Sequence, residues 1–170
     1  MIKVIGIDPG LASTGIGVVK GKGTRIDSYS FGSIQTSKNI SLPNRLDKIF
    51  SKITHLLKEE KPDLIVVEDS FFLRKNPKSG LTLGKVAGVV LLAGYREKIP
   101  VVEISVREAK QILTGNGNAS KDQLEKAVRN ILNKETPIRP YHASDAIGLA
   151  IIGIYRYQDK SFGVERSSML

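Results

Sequence analysis

No cysteine occurs in the 170 residues, so the chain can build neither a disulfide framework nor a thiolate metal site. That suits a reducing cytosol, and a cytoplasmic location is expected. The N-terminus runs straight into "IKVIGID", without the basic flank, apolar core and cleavage site of a signal peptide. Long hydrophobic runs are missing too. The longest, "VAGVVLLAG" at 86–94, falls well short of the roughly 20 residues of a membrane span and reads as part of a buried helix, so no membrane is expected as a partner. Internal repeats and long linkers are also absent. Acidic residues are the minority charge, 17 against 26 Lys and Arg, for a net charge of +9 and a pI near 9.8. Such an excess favours polyanions through electrostatic steering and counterion release.

What remains is ordinary globular material, 41% hydrophobic and 25% charged, long enough to bury a core without staples. A single domain over 1–158 is expected, with a loosely ordered tail at 159–170 that holds Ser, Gly and charges without periodicity. Strand-like runs at 2–7, 14–21 and 25–36 form a meander, with "KGKGT" as hairpin chemistry between the second and third. From Pro43, apolar residues recur at three- and four-residue steps through Leu57, and Pro62 stops the helix. "DLIVVED" at 63–69 is nearly continuous in apolar side chains, as a central strand covered on both faces would be. A helix over 78–98 follows, in which Gly84 and Gly88 mark a place for close packing, a second subunit being one candidate. A strand at 100–104 leads to a helix with a capping-box pattern at Ser105 and Glu108, and Ser120 with Gln123 repeats it for a helix at 120–133. A last helix spans 141–157. The pattern describes one α/β domain with a mixed sheet.

Two carboxylates end strands. Asp8 closes the first and breaks into Pro9-Gly10, and Glu68 stands near the end of the central one. If these strands are parallel neighbours, both carboxylates emerge together at the edge where α/β sheets bind ligands. A lone strand-terminal Asp is most often a turn former, but two such carboxylates together repel unless a cation lies between them. In "YHASDAIGLA", His142 and Asp145 are three residues apart at a helix start and share a face. Alone, His142 reads as a surface or cap residue and Asp145 as a favourable charge near a helix N-terminus. His55, among lysines and leucines, reads as structural. Together Asp8, Glu68, His142 and Asp145 form an oxygen-rich set with one imidazole, suited to Mg2+ or, through the nitrogen, Mn2+. Two ions about 4 Å apart would serve phosphodiester hydrolysis.

The order "GIDPG…TG", "VVED-SF" and "HASDA", with "SLPNRL", "NPKSGLTLGKVAGVV" and "VREAKQILTGNGNASKDQ", resembles the RuvC-type Holliday-junction resolvases over residues 2–157. The resemblance implies an RNase H-like mixed five-stranded sheet flanked by helices, a homodimer, and paired symmetric cutting of four-way DNA junctions in recombination and repair. It implies Asp8, Glu68 and Asp145 as metal-binding carboxylates, with two Mg2+ ions per site that Mn2+ can replace. His142 stands where some members carry a fourth carboxylate and others a histidine, which leaves open ligation of the second metal or handling of the water. Phe71 matches an aromatic that engages a base near the junction centre, while Phe72 reads as packing. Lys110 and Lys121 match lysines near the scissile phosphate. Arg74, Lys75 and Lys78 beside Phe71, and Arg107 beside Lys110, are candidates to track the DNA arms. Contact with a branch-migration complex is implied in the same way.

Three other readings compete. Asp8-Pro-Gly with Thr14-Gly15 also resembles the first phosphate loop of actin-like ATPases, which need two such domains. A YqgF-like RNA-processing nuclease shares the core, but Phe71, the 74–78 basic loop and "LTGNGNASK" favour the junction resolvase. A non-catalytic DNA-binding protein would have no use for converging carboxylates in a basic chain.

Overall fold

Five strands lie in the order β3-β2-β1-β4-β5. A computed structural model describes residues 1–69 and 77–158. The strands are β1 (Ile2–Asp8), β2 (Ser13–Lys22), β3 (Arg25–Gln35), β4 (Leu64–Asp69) and β5 (Val101–Ser105). β1, β2 and β3 form the antiparallel meander, while β4 and β5 run parallel to β1. The sheet is mixed and RNase H-like, as expected. The helices are α1 (Leu42–Glu60), α2 (Pro77–Arg96), α3 (Val106–Thr114), α4 (Lys121–Ile131) and α5 (Tyr141–Arg156).

Local chemistry sets the boundaries. α1 starts where the Ser41 hydroxyl accepts the Asn44 N–H, with proline in the first turn, and stops at Lys61, which turns left-handed at φ 47 before Pro62. The capping box expected at Ser120 is complete: Ser120 Oγ accepts the Gln123 N–H at 3.2 Å and Gln123 Oε1 accepts the Ser120 N–H at 2.8 Å. The one expected at Ser105 is half made. Ser105 Oγ accepts the Glu108 N–H at 3.2 Å, but the Glu108 carboxylate turns to Arg156 at 2.8 Å instead. α3 ends on Gly115 at φ 74, a conformation glycine adopts without strain.

Strand alternation sorts the core into two layers. Ile5 and Ile7 of β1, with Ile65 and Val67 of β4, pack against Ile49, Ile53 and Leu57 of α1 and Val86 and Val90 of α2. Val4, Leu64 and Val66 face the opposite way, against α5 and the α3–α4 pair. α5 is buried almost all round from Ala143 to Ile154, as its apolar composition requires. The expected tail at 159–170 lies outside the described residues.

Candidate active site

The alternation that makes two cores also aims the carboxylates. In β1 the residues facing α5 are Val4, Gly6 and, by the same period of two, Asp8. In β4 they are Leu64, Val66 and Glu68. The parallel register pairs Val4 with Leu64, Gly6 with Val66 and Ile7 with Val67, so Asp8 and Glu68 stand side by side at one sheet edge.

α5 lies unusually close to that face. A Cβ on Gly6 would sit 1.9 Å from the Ala146 carbonyl oxygen, and one on Gly15 would sit 2.0 Å from that of His142. Helix backbone therefore rests directly on strand backbone. Gly15 pairs with Asp8 across β1 and β2, so the first turn of α5 is pressed against the strand position beside Asp8. His142 Nδ1 is 2.5 Å from Asp8 Oδ2, and Asp145 follows one helical turn on. The loop after Asp8 is held as well. Thr14 Oγ1 donates to the Gly10 carbonyl at 2.7 Å, Thr36 Oγ1 donates to that of Leu11, and Arg45 Nε donates to Thr36 Oγ1 at 2.7 Å.

Asp8 is only 5% exposed, and the electrostatics are those of crowded acids. Burial, then the charges of Asp8 and Asp145, push Glu68 up from 4.5 to about 8, against the pull of Lys121 and His142. Burial and Asp8 push Asp145 up to about 6, against Lys121, His142 and Lys110. His142 is raised chiefly by its hydrogen bond to Asp8. Hard oxygen donors that resist ionisation together fit a divalent cation, which would replace protons among them. Among the described residues no three such side chains already stand as a formed metal-ligating group. Asp8 Oδ2 is engaged by His142.

The set opens into a cleft of about 730 Å³ that Arg107, Lys110 and Lys121 also line, over an apolar floor that includes Leu113 and Leu149. Of the expected DNA contacts, these three cations are thus brought to the site. Lys78 falls in the first turn of α2 and its side chain is not described. Phe71, Arg74 and Lys75, with Phe72, lie outside the described residues. His55 is an exposed residue of α1, 3.3 Å from Glu59. Sequence reasoning missed Gly6 and Gly15, the Thr14 and Thr36–Arg45 fastening, and the role of α4 described below. The glycine signal was present as Gly6, Gly15 and Gly17 inside two runs read as strands, with Gly6 and Gly17 paired in the fold.

Residues 4–153 match the family described as crossover junction endodeoxyribonuclease RuvC. The chain belongs to the RuvC family. A RuvC from Carboxydothermus hydrogenoformans is 40% identical over 155 residues, spanning 91% of this chain and 97% of that one. One from Syntrophomonas wolfei is 37% identical over 161 residues, 95% of this chain and 93% of its own. The solved structure of T. thermophilus RuvC in complex with Holliday junction substrate superposes with a TM-score of 0.86 at 30% identity, covering 93% of this chain and 96% of that chain. RuvC membership carries nuclease chemistry and divalent-metal use with it. Among the described residues no helix is long and apolar enough to cross a membrane.

Proposed function

We propose that this chain is a metal-dependent endonuclease that resolves four-way DNA junctions by paired symmetric nicks, leaving 5′-phosphate and 3′-hydroxyl ends. The observation that carries the proposal is the convergence of Asp8, Glu68 and Asp145, with His142, in a cleft rimmed by Arg107, Lys110 and Lys121. A basic rim attracts phosphate and an acidic centre repels it, so the pair makes sense only when cations neutralise the centre.

Asp8, Glu68, His142 and Asp145 would hold the metal, two Mg2+ ions per site with Mn2+ as a substitute. When bound, such ions supply Lewis-acid activation of water and charge stabilisation at the leaving oxygen. Asp8, between its strand neighbour Glu68 and the start of α5, would be the central ligand of the set. His142 would serve as a neutral ligand where a carboxylate would add charge. Lys110 and Lys121 hold the scissile phosphate, and Arg107 the adjoining backbone. Phe71 stacks on a base near the junction centre, worth about 1–3 kcal/mol, with Arg74, Lys75 and Lys78 beside it on the DNA arms.

Paired nicks call for two sites. One stripe of α2 supports a homodimer: Leu81 and Tyr95 are 71% and 70% exposed, Leu92 lies between them at 46%, and a Cβ at Gly84 or Gly88 would touch nothing within 4 Å. Exposed apolar residues flanking bare backbone fit the same stripe of a second copy, related by a two-fold axis. Contact with a branch-migration complex belongs to the same proposal.

The test offers four-way DNA, linear duplex, single-stranded RNA and ATP with Mg2+ or Mn2+. Paired junction nicks that vanish in Asp8→Asn are expected. RNA cleavage without junction cleavage, or ATP turnover, would overturn the proposal. Activity in His142→Asp but not in His142→Ala would mark His142 as a ligand, and full activity in His142→Ala would remove it from the site.

A further inference from the structure

Three side chains on one face of α4 fasten the segment that leads into α5. Asp122, Glu125 and Arg129 are three and four residues apart and point the same way. Arg129 Nη1 donates to the Glu135 carbonyl at 2.8 Å, buried Glu125 Oε1 accepts the Ile138 N–H at 2.9 Å, and Asp122 accepts the Tyr141 hydroxyl. Residues 135–141 are thereby tied down along α4 from its last turn to its first.

On this anchored segment the Arg139 guanidinium lies over the Tyr141 ring, 4.1 Å from its centroid, and Nη1 donates to the Ile138 carbonyl at 3.1 Å. Arg139 is exposed, so with one N–H on the Ile138 carbonyl most of its other N–H groups are open to solvent. Nearby carboxylates are already taken. Asp122 holds Tyr141, and Glu125 holds Ile138 with Arg129 at 3.4 Å. Among the described residues no carboxylate pairs with Arg139. Its position is equally specific, because Tyr141 directly precedes His142 and Asp122 directly follows Lys121. Tyr141 and Asp122 are thus the chain neighbours, at the starts of α5 and α4, of two residues that line the cleft, His142 and Lys121.

We propose that Arg139, held over the Tyr141 ring, is a contact for the DNA backbone beside the scissile phosphate. The inference rests on the nuclease reading above and adds a residue to its DNA surface. A guanidinium already stacked and hydrogen-bonded has lost its side-chain freedom before DNA arrives, so phosphate binding costs it less than it costs a free lysine. Its planar edge also matches two phosphate oxygens.

The experiment measures binding of the full chain to a fluorescent four-way junction across a KCl series, with Ca2+ in place of Mg2+, alongside thermal unfolding. Arg139→Gln should weaken binding about three- to tenfold near 0.1 M salt and reduce the slope of log K against log salt by about one, with Tm unchanged. Tyr141→Leu should weaken binding in the same direction by removing the platform, and Tyr141→Phe, which keeps the ring, should stay within about twofold. Unchanged affinity and slope in Arg139→Gln overturn the inference while leaving the nuclease reading standing. If the unaltered protein itself fails to bind the junction, the nuclease reading falls and this inference with it.

Discussion

The two faces of the sheet are built on different terms. Toward α1 and α2, Ile5, Ile7, Ile65 and Val67 meet other aliphatic side chains. Toward α5, Gly6 and Gly15 bring backbone against backbone, and the row ends in Asp8. Side chains in a packed layer can repack around a lost methylene. Two backbones in contact have no such slack, because neither has a rotamer to change. Both faces bury aliphatic side chains, but the α5 face also sets a distance, and His142 and Asp145 ride on the element whose distance is set.

The largest effects should come from adding one carbon to the rigid face. Gly6→Ala puts its Cβ 1.9 Å from the Ala146 oxygen, so α5 must lift. The expected loss is about 3 kcal/mol or more, read as a fall in Tm of roughly 10 °C. Gly15→Ala presses on the His142 carbonyl, and its signature should be catalytic as well as thermal. A shift of about 1 Å at the reacting groups costs on the order of 100-fold in cleavage, with junction binding in Ca2+ retained. The counterpart on the slack face is Ile53→Val, on the buried side of α1. It should cost about 1 kcal/mol and leave cleavage unaltered. Equal loss of cleavage in Ile53→Val and Gly15→Ala would erase the contrast.

Next in size is the pH dependence of the rigid face without metal. Glu68 is raised from 4.5 to about 8 and Asp145 from 3.8 to about 6, so between these limits the folded state holds protons that the unfolded state has released. Stability then falls as pH rises. His142, also raised, acts in the same sense: the stability its protonated form contributes is lost as pH passes its folded value. Metal-free protein should therefore lose on the order of 5 °C in Tm between pH 5 and 8. Added Mg2+ or Mn2+ should restore more at pH 8 than at pH 6, since binding must displace fewer protons there. A metal-free Tm that climbs over this interval would contradict the crowding of the three carboxylates.

Much of this was legible in the chain itself, and the reason differs by residue. Asp8 and Glu68 could be read as strand ends because apolar runs are local properties, while their meeting at one edge depended on the two strands being parallel neighbours, as they are. Asp145 and His142 followed from helical spacing. The close approach of α5 was not legible, because a glycine in a strand reads equally as a bulge, a turn or weakness, and only the partner backbone decides among them. Glu125 carries no signal in the sequence beyond its place in the helix at 120–133, yet it is buried and holds Ile138, thirteen residues away. Glu108 completes a capping-box pattern in sequence, but in the fold its carboxylate is within reach of Arg156, 48 residues on, and takes the charged partner over a backbone N–H.

That last pair allows the smallest and most discriminating test. Arg156 and Glu108 join the far end of α5 to the start of α3, with both side chains substantially exposed at 37% and 47%. If the placement of α5 depended on ion pairs, Glu108→Gln would loosen the helix and disturb His142 at its other end. The glycine contacts argue otherwise, because that of Gly15 acts at the His142 end and needs no charge. An exposed pair contributes less than about 1 kcal/mol and is screened by salt. Glu108→Gln should accordingly move Tm by no more than about 2 °C and keep cleavage within about twofold at any salt concentration. A fall in cleavage comparable to that of Gly15→Ala would mean that α5 is held in place from its solvent end rather than by the backbone contact beside Asp8.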